Sequence, residues 1–562
     1  MWETDIFLQV LAAAPALAAL VLGADRPAGR AGAGRSAVLA RNGMVAASQP
    51  LAAQTGLRVL QRGGNAFDAA VATAAALAVV EPMMTGPGGD MFVLAYLAEE
   101  DRLVGLNGSG FSPEAVDLDF FASRGLDQIP VHGPYSVSVP GAVDGWAALL
   151  DRYGAMPLAE VLKAPIEYAE NGFPVSEIIA ANWADRAEPI AERKDFREAY
   201  LPGGRAPRHG EVFRNPGLAR TYRQIAEGGR DAFYRGGIAR RIVEHLDREG
   251  WPVSMDDLDR QHSDWVEPIS TSYRQYELHE LPPNGQGMAA LEMLNILEGY
   301  DLRSLGHNSP AYLHLLLEAK KLAFADLDAW LADPERAELP VETIISKEYA
   351  AEQRKRIRRE KAAAAVESGI STADRKHVSS GDTVYLTVVD RDRNMVSFIN
   401  SLFHGFGSGV TVPGTGIVLQ NRGALFSLER GHPNRIEPRK RPYHTIIPAM
   451  ASKGGRPWMS FGVMGGDMQP QGHVQIMLNR IEFGMNVQEA GEAARIKHNP
   501  LAGVAVESGI PAAAVAELDR LGHDLVRAPG VFGGYQAIEV DWEQDVLIGG
   551  TDPRKDGLVA AW

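Results

Sequence analysis

Apolar residues recur with two different periods along this chain, and each change of period marks a new element. Pro50 to Arg62 (PLAAQTGLRVLQR) repeats them at helical spacing and runs into Gly63-Gly64, a helix followed by its stop. Residues 66–80 (AFDAAVATAAALAVV) are apolar on nearly every side, which predicts a helix buried all round with Asp68 as the one charge needing a partner. The Gly-rich stretch Thr85 to Asp90 (TGPGGD) then leads into MFVLAYL, a strand. From about 155 to 365 the pattern is mostly helical, broken by Pro/Gly loops at 201–207 and 281–287, and these helices are expected to form an outer layer. The basic run at 351–363 has Glu352 and Glu360 interleaved and reads as a solvated helix face. Residues 364–382 lose all periodicity and read as an exposed connector.

Order returns at Thr383. The runs 383–390 (TVYLTVVD) and 395–402 (MVSFINSL), joined by RDRN, predict a hairpin. Pairing Asp390 with Met395 sets residue 383 opposite 402, and a one-residue change of register sets it opposite Ser401. Either way Ser401 lies within side-chain reach of Thr383. Further on, Gly462 to Asp467 (GVMGGD) forms a Gly turn ahead of a helix from about His473 to Ile481, and strands return at 537–541.

Composition narrows the function classes. With 562 residues, 45% of them hydrophobic and 23% charged, the chain can bury a large core in one or several domains, which excludes a disordered protein. Its 56 basic against 71 acidic residues leave −15, a balance that repels nucleic acid and acidic membrane surfaces and favours a small-molecule partner. With no Cys there is no disulfide, thiolate nucleophile or Cys-ligated zinc. Ile6 to Leu22 is apolar enough for a secretory signal, but Glu3 and Asp5 stand where positive charge belongs and Pro15 interrupts the run. Residues 1–42 are therefore read as an N-terminal extension of a cytoplasmic protein, linker-like over 25–42, with export as the second reading. No other stretch is long and charge-free enough to span a membrane.

Common chemical motifs are absent: no phosphate-binding P-loop, no HExxH, no EF-hand loop. TGPGGD precedes a strand where a dinucleotide fingerprint needs a helix, so it reads as a structural turn. His404, His432, His444 and His473 lack ligand spacing and read as loop or hydrogen-bonding residues, so neither a metal nor a cofactor is expected. Taken alone, Thr383 is a strand former and Gly465-Gly466 a tight turn.

Eight segments change that picture: 43–82, SVPGAVDGW (138–146), NILEGYDL (295–302), GDTVYLTVVDRDRNMVS (381–397), FGSGVTVPGTGIVLQNRGALFS (406–427), RPYHTIIPAM (441–450), FGVMGGDMQPQGH (461–473) and TDPRKDG (551–557). In order and spacing they resemble the γ-glutamyltranspeptidase family over nearly all of 43–562. The resemblance implies an α+β fold, a four-layer αββα sandwich of the N-terminal-nucleophile hydrolase type, made as an inactive precursor. The implied cut between Asp382 and Thr383 separates a large subunit, 43–382 behind the extension, from a small subunit, 383–562, and leaves a dimer of such processed pairs open. Thr383 would supply the nucleophilic hydroxyl, and its freed α-amine, of pKa about 8, the base. Ser401 matches the family's second hydroxyl, and Gly465 and Gly466 match paired glycines whose N–H groups stabilise an oxyanion.

At the substrate positions the chain departs from the family. Ser109 and Phe111 stand in the segment where an Arg grips the γ-glutamyl carboxylate, and Leu425 stands where an acidic residue holds the α-ammonium. His444-Thr445 replaces a pair of serines, and Arg422 replaces a Gln. Losing both clamps costs on the order of several kcal/mol of γ-glutamyl recognition. The expectation is an amidohydrolase or acyltransferase, glutathione hydrolase-like in family but tuned to another acyl group, with water among its acceptors. An oxamate amidohydrolase or a glutaryl- or cephalosporin-type acylase on the same fold is the first alternative, and an unprocessed, non-catalytic binding protein the second.

Overall fold

The computed structural model describes residues 34–370 and 381–562, so the apolar run at 6–22 and most of the connector lie outside the described residues. Two seven-stranded sheets face each other. One runs in the order 558–561, 44–47, 382–389, 395–403, 90–97, 102–108, 264–266, and the other 38–40, 546–551, 534–541, 456–464, 449–453, 276–280, 269–273. Within both sheets every pairing of neighbours is antiparallel. Met44, Phe92, Tyr385 and Ile399 of the first meet Met450, Ile538 and Leu547 of the second in a dry interlayer. Gly462 lets the sheets close, because a Cβ there would stand 2.4 Å from the Tyr385 ring.

Helices cover both outer faces. Pro50–Gln61, Ala66–Val80 and Ala142–Tyr153 pack on the first sheet and Gly287–Leu297 and Met468–Ile481 on the second, with Pro310–Trp330 packed on Gly287–Leu297 and Ala512–Leu521 on Pro310–Trp330. The result is the expected αββα sandwich. Ala66–Val80 is buried along its whole length, and its alanines give a thin helix that others approach closely. Its N-terminus is fixed by a capping box between Asn65 and Asp68. Asp68 also accepts from the amides of Ala155 and Met156, so backbone N–H groups supply the partner its charge required.

The hairpin takes the second of the two registers. Val389 pairs with Met395 and Val384 with Asn400, with an irregularity between Asp382 and Val384. The turn is longer than RDRN because Asp390 joins it, its amide donating to the Asn394 carbonyl and its carboxylate accepting from the amides of Asn394 and Ala66.

Four expectations are corrected. Strands Asp264–Val266, Ile269–Tyr273 and Tyr276–Glu280 interrupt the helical middle; each is too short for its period to stand out. The helix expected near His473 begins at Met468, since Pro470 falls in the first turn, where its missing N–H forfeits no helical bond. The basic run is helical only to Arg354, which turns inward to the Asn295 carbonyl, while the exposed Arg356 donates to the Glu367 carbonyl. Within the linker-like stretch, Val38–Ala40 is an edge strand on Leu547 to Gly549. Among the described residues no helix is long and apolar enough to cross a membrane.

Candidate active site

Thr383, 1% exposed, sits near the start of a central strand, at the irregularity in the ladder. Its hydroxyl lies 3.1 Å from the Ser401 hydroxyl, as the register predicts. Ser401 Oγ donates to the carbonyl oxygen of Asp382 at 2.8 Å and accepts from the Phe403 amide at 2.9 Å. Because the single Ser401 hydrogen is committed to that carbonyl, the Thr383 hydroxyl is the donor in the Thr383–Ser401 contact. The peptide bond ahead of Thr383 is thus contacted from the nucleophile side and the carbonyl side by one short chain of hydroxyls.

Arg186 of the helix Glu177–Ala187 holds the Asp382 carboxylate, Nε to Oδ2 at 2.6 Å. These residues, with Gly381, Thr383, Gly465 and Lys497, line the cavity beside the Asp382–Thr383 bond. Gly465 and Gly466 follow the strand Arg456–Met464 with φ of +124° and +58°, and a Cβ on Gly466 would meet the Gly381 nitrogen at 2.8 Å. Both positions therefore demand glycine, and Gly381 covers Gly466 while the chain is uncut.

The sequence-predicted substrate residues form a second, deeper group. Asp90, opposite Ser401 in the neighbouring strand, accepts through Oδ1 from the amides of Gly110 and Gly141 and through Oδ2 from His444 Nε2 at 2.8 Å. Burial, reinforced by the nearby Arg422, lowers the His444 pKa against the pull of the Asp90 carboxylate. Asn284 joins His444, Ser109 and Asn107 into one network. Arg422, fully buried, donates from Nη1 to Thr445 Oγ1 at 2.9 Å, and its Nε stands 4.0 Å from Asp90 Oδ2. Its Nη2 has no partner among the described residues. Burial lowers the Arg422 pKa to about 10, which still leaves it charged at neutral pH.

The fold brings Asp90 to Arg422 from 332 positions away in sequence. That carboxylate is already shared by His444 and two amides. Leu425 closes the short turn Arg422–Leu425 and is buried in the apolar layer over the second sheet. Phe111 stands apart, its ring under the guanidinium groups of Arg441 and Arg439 at 4.3 and 5.3 Å. Arg422 does not line the cavity beside Thr383 in the uncut chain. Phe403 lies between, with Arg422 4.8 Å from its ring centre and Gly381 packed on its edge.

Sequence reasoning missed Asp90, Asn284, Gln286 and Arg186. Asp90 ends a motif read only as a turn, and Asn284 and Gln286 lie in the loop at 281–287. Gln286 Nε2 donates to the carbonyls of Thr445 and Gly466, tying the two groups together. Of the four histidines read as hydrogen-bonding residues, His473 binds Glu280 at 2.7 Å and His432 the Asp328 carbonyl at 3.2 Å.

Residues 52–562 match the family model of γ-glutamyltranspeptidase. The chain is 42% identical over 530 residues to the glutathione hydrolase-like YwrD proenzyme of Bacillus subtilis, covering 92% of this chain and 98% of that one. It is 35% identical over 541 residues to the oxamate amidohydrolase proenzyme of Klebsiella pneumoniae, covering 94% and 100%. The crystal structure of cephalosporin acylase from Bacillus halodurans superposes with a TM-score of 0.89 at 44% identity, covering 96% and 99%. The chain belongs to the γ-glutamyltranspeptidase family of N-terminal-nucleophile hydrolases.

Proposed function

We propose that this chain is a precursor that cuts itself between Asp382 and Thr383 and then hydrolyses amides through an acyl-threonine intermediate. The contact of Ser401 with both the Thr383 hydroxyl and the Asp382 carbonyl carries the reading. In the cut, Thr383 Oγ1 attacks the Asp382 carbonyl carbon. Its proton passes to Ser401 Oγ as the Ser401 proton passes to the carbonyl oxygen. Collapse of that adduct breaks the C–N bond, returns a proton to nitrogen and leaves an ester on Thr383, which water hydrolyses. The freed α-amine then serves as the base that deprotonates the hydroxyl in turnover. Departure of Gly381 uncovers Gly466, and the N–H groups of Gly465 and Gly466 take the oxyanion of the incoming amide.

The proposed substrate carries a carboxylate on its acyl group and no α-ammonium. A buried guanidinium with Nη2 unpaired offers a charged hydrogen bond to a carboxylate, and Leu425 offers an ammonium nothing. Release of Gly381 from Phe403 opens the way from Thr383 toward Arg422. The names of two relatives, an oxamate amidohydrolase and a cephalosporin acylase, agree with an acyl group other than γ-glutamyl.

The test is a panel of γ-glutamyl-p-nitroanilide, glutathione, oxamate and glutaryl-p-nitroanilide with the processed protein, and Thr383→Ala as the uncut control. Glutaryl-p-nitroanilide should exceed its γ-glutamyl counterpart in kcat/KM, and Thr383→Ala should stay one chain without activity. A preference for the γ-glutamyl compound would restore the family's usual specificity, and two chains from Thr383→Ala would end the mechanism.

A further inference from the structure

Far from Thr383, the helix Pro310–Trp330 presents His314 and Glu318 four residues apart on one face. His523 meets them from the other side, immediately after Gly522 ends the helix Ala512–Leu521 at φ +94°. All three are buried, and one ligand atom from each lies within 4.8 Å of the others. His523 Nε2 donates to His314 Nδ1 at 2.8 Å, and an ion that takes both nitrogens moves that hydrogen to His523 Nδ1, which has no hydrogen-bond partner among the described residues. The Arg358 carbonyl accepts from His314 Nε2 at 2.8 Å, which places the ring hydrogen there and leaves a lone pair on Nδ1. Metal-bound imidazoles are oriented by this kind of outer contact. Glu318 also lines a cavity bounded by Leu322 and by residues between 356 and 367.

We propose that His314, Glu318 and His523 bind a divalent ion of the zinc class. Two imidazole nitrogens and one carboxylate, with a fourth position open, suit zinc, cobalt or nickel and not magnesium or calcium. Glu318 already accepts from Lys321 Nζ at 2.8 Å on Oε1 and from the Ala363 amide at 3.1 Å on Oε2, and Lys321 is the charged competitor. It touches neither imidazole, and its second bond, to the Ala363 carbonyl at 2.7 Å, gives it a place to stay when an ion takes the carboxylate. The similar group Asp195, His245 and Glu249 carries no site, because Arg193 Nη2 already bridges its two carboxylates at 2.8 and 2.6 Å. His314 and Glu318 precede residue 382 and His523 follows it, so the ion joins the two chains that the cut creates. Only that joining rests on the proposed cut.

Cobalt(II) titrated into the metal-stripped full chain, followed by visible absorption and calorimetry, tests the proposal. One equivalent should bind at micromolar affinity or better, in Thr383→Ala as in the processed protein, with no competition from magnesium. His523→Ala and Glu318→Gln should lose it, and Lys321→Met should bind at least as tightly. Zinc should raise the Tm of the processed protein more than that of Thr383→Ala, and a chelator should reverse the gain. Failure of the folded parent to bind cobalt saturably, or binding unchanged in both ligand variants, overturns the site. Binding without any two-chain form keeps the site and removes the staple.

Discussion

A threonine hydroxyl attacks an amide only where its proton has somewhere to go, and in the proposed cut that place is Ser401, 3.1 Å from the Thr383 hydroxyl. Ser401→Ala should slow both self-cutting and turnover by roughly one to three powers of ten, the scale for losing a group that orients or relays a proton. Gel densitometry over time and initial rates on fully cut protein check the two effects separately, and unchanged rates in both would remove Ser401 from the chemistry. Arg422→Gln should weaken the carboxylate-bearing substrate by about 1.5–3 kcal/mol, the scale of a charged hydrogen bond, and leave cutting unaltered. Equal kcat/KM for parent and variant on glutaryl-p-nitroanilide would take Arg422 out of the pocket. Ser401 was legible because a hairpin converts sequence spacing into distance. Asp90 was not, since it reaches His444 across 354 positions, and no local period encodes such a pair.

At the scale of elements, helices and strands with a strong period were readable, and the errors fell where length or burial erased it. The helix Ala66–Val80 was found from its apolar length, and Asp68 was correctly marked as needing a partner, although the amides that serve it come from 155 and 156. The same helix ends at Glu81, 2% exposed, whose pKa burial raises from 4.5 to about 7. Between those values the folded chain keeps a proton that the unfolded chain has released. Its stabilising contribution is therefore full below about pH 4.5 and lost as pH rises through 7. Glu81→Gln should consequently stabilise the protein at pH 8 by about 2–3 kcal/mol and change little at pH 5. Urea unfolding of Thr383→Ala with and without the substitution measures both, and an equal shift at the two pH values would assign the effect to packing instead of charge.

For the molecule as a whole, periodicity alone gave outer helices and a few strands, and the layering came from family resemblance, because the order of strands in a sheet is not written in any one segment. That order decides what the proposed cut does. The strand 382–389 lies between 44–47 and 395–403, and 395–403 lies beside 90–97, so segments from both sides of residue 383 interleave in the first sheet. The second sheet likewise sets 276–280 beside 449–453 and 38–40 beside 546–551. Cutting one peptide bond removes none of these ladders and leaves the interlayer of Met44, Phe92, Tyr385, Met450 and Ile538 intact. The two chains should therefore elute together from a sizing column without denaturant and melt in a single transition within a few degrees of uncut Thr383→Ala. What the cut does change is local: Gly381 and Asp382 lose their covalent hold beside Gly466 and Arg186, so protease sensitivity should rise in the segment before 382 and not in the sheets. Separation of the chains under native conditions, or two well-resolved melting transitions, would mean that the subunits are independent domains, contrary to the interleaved ladders.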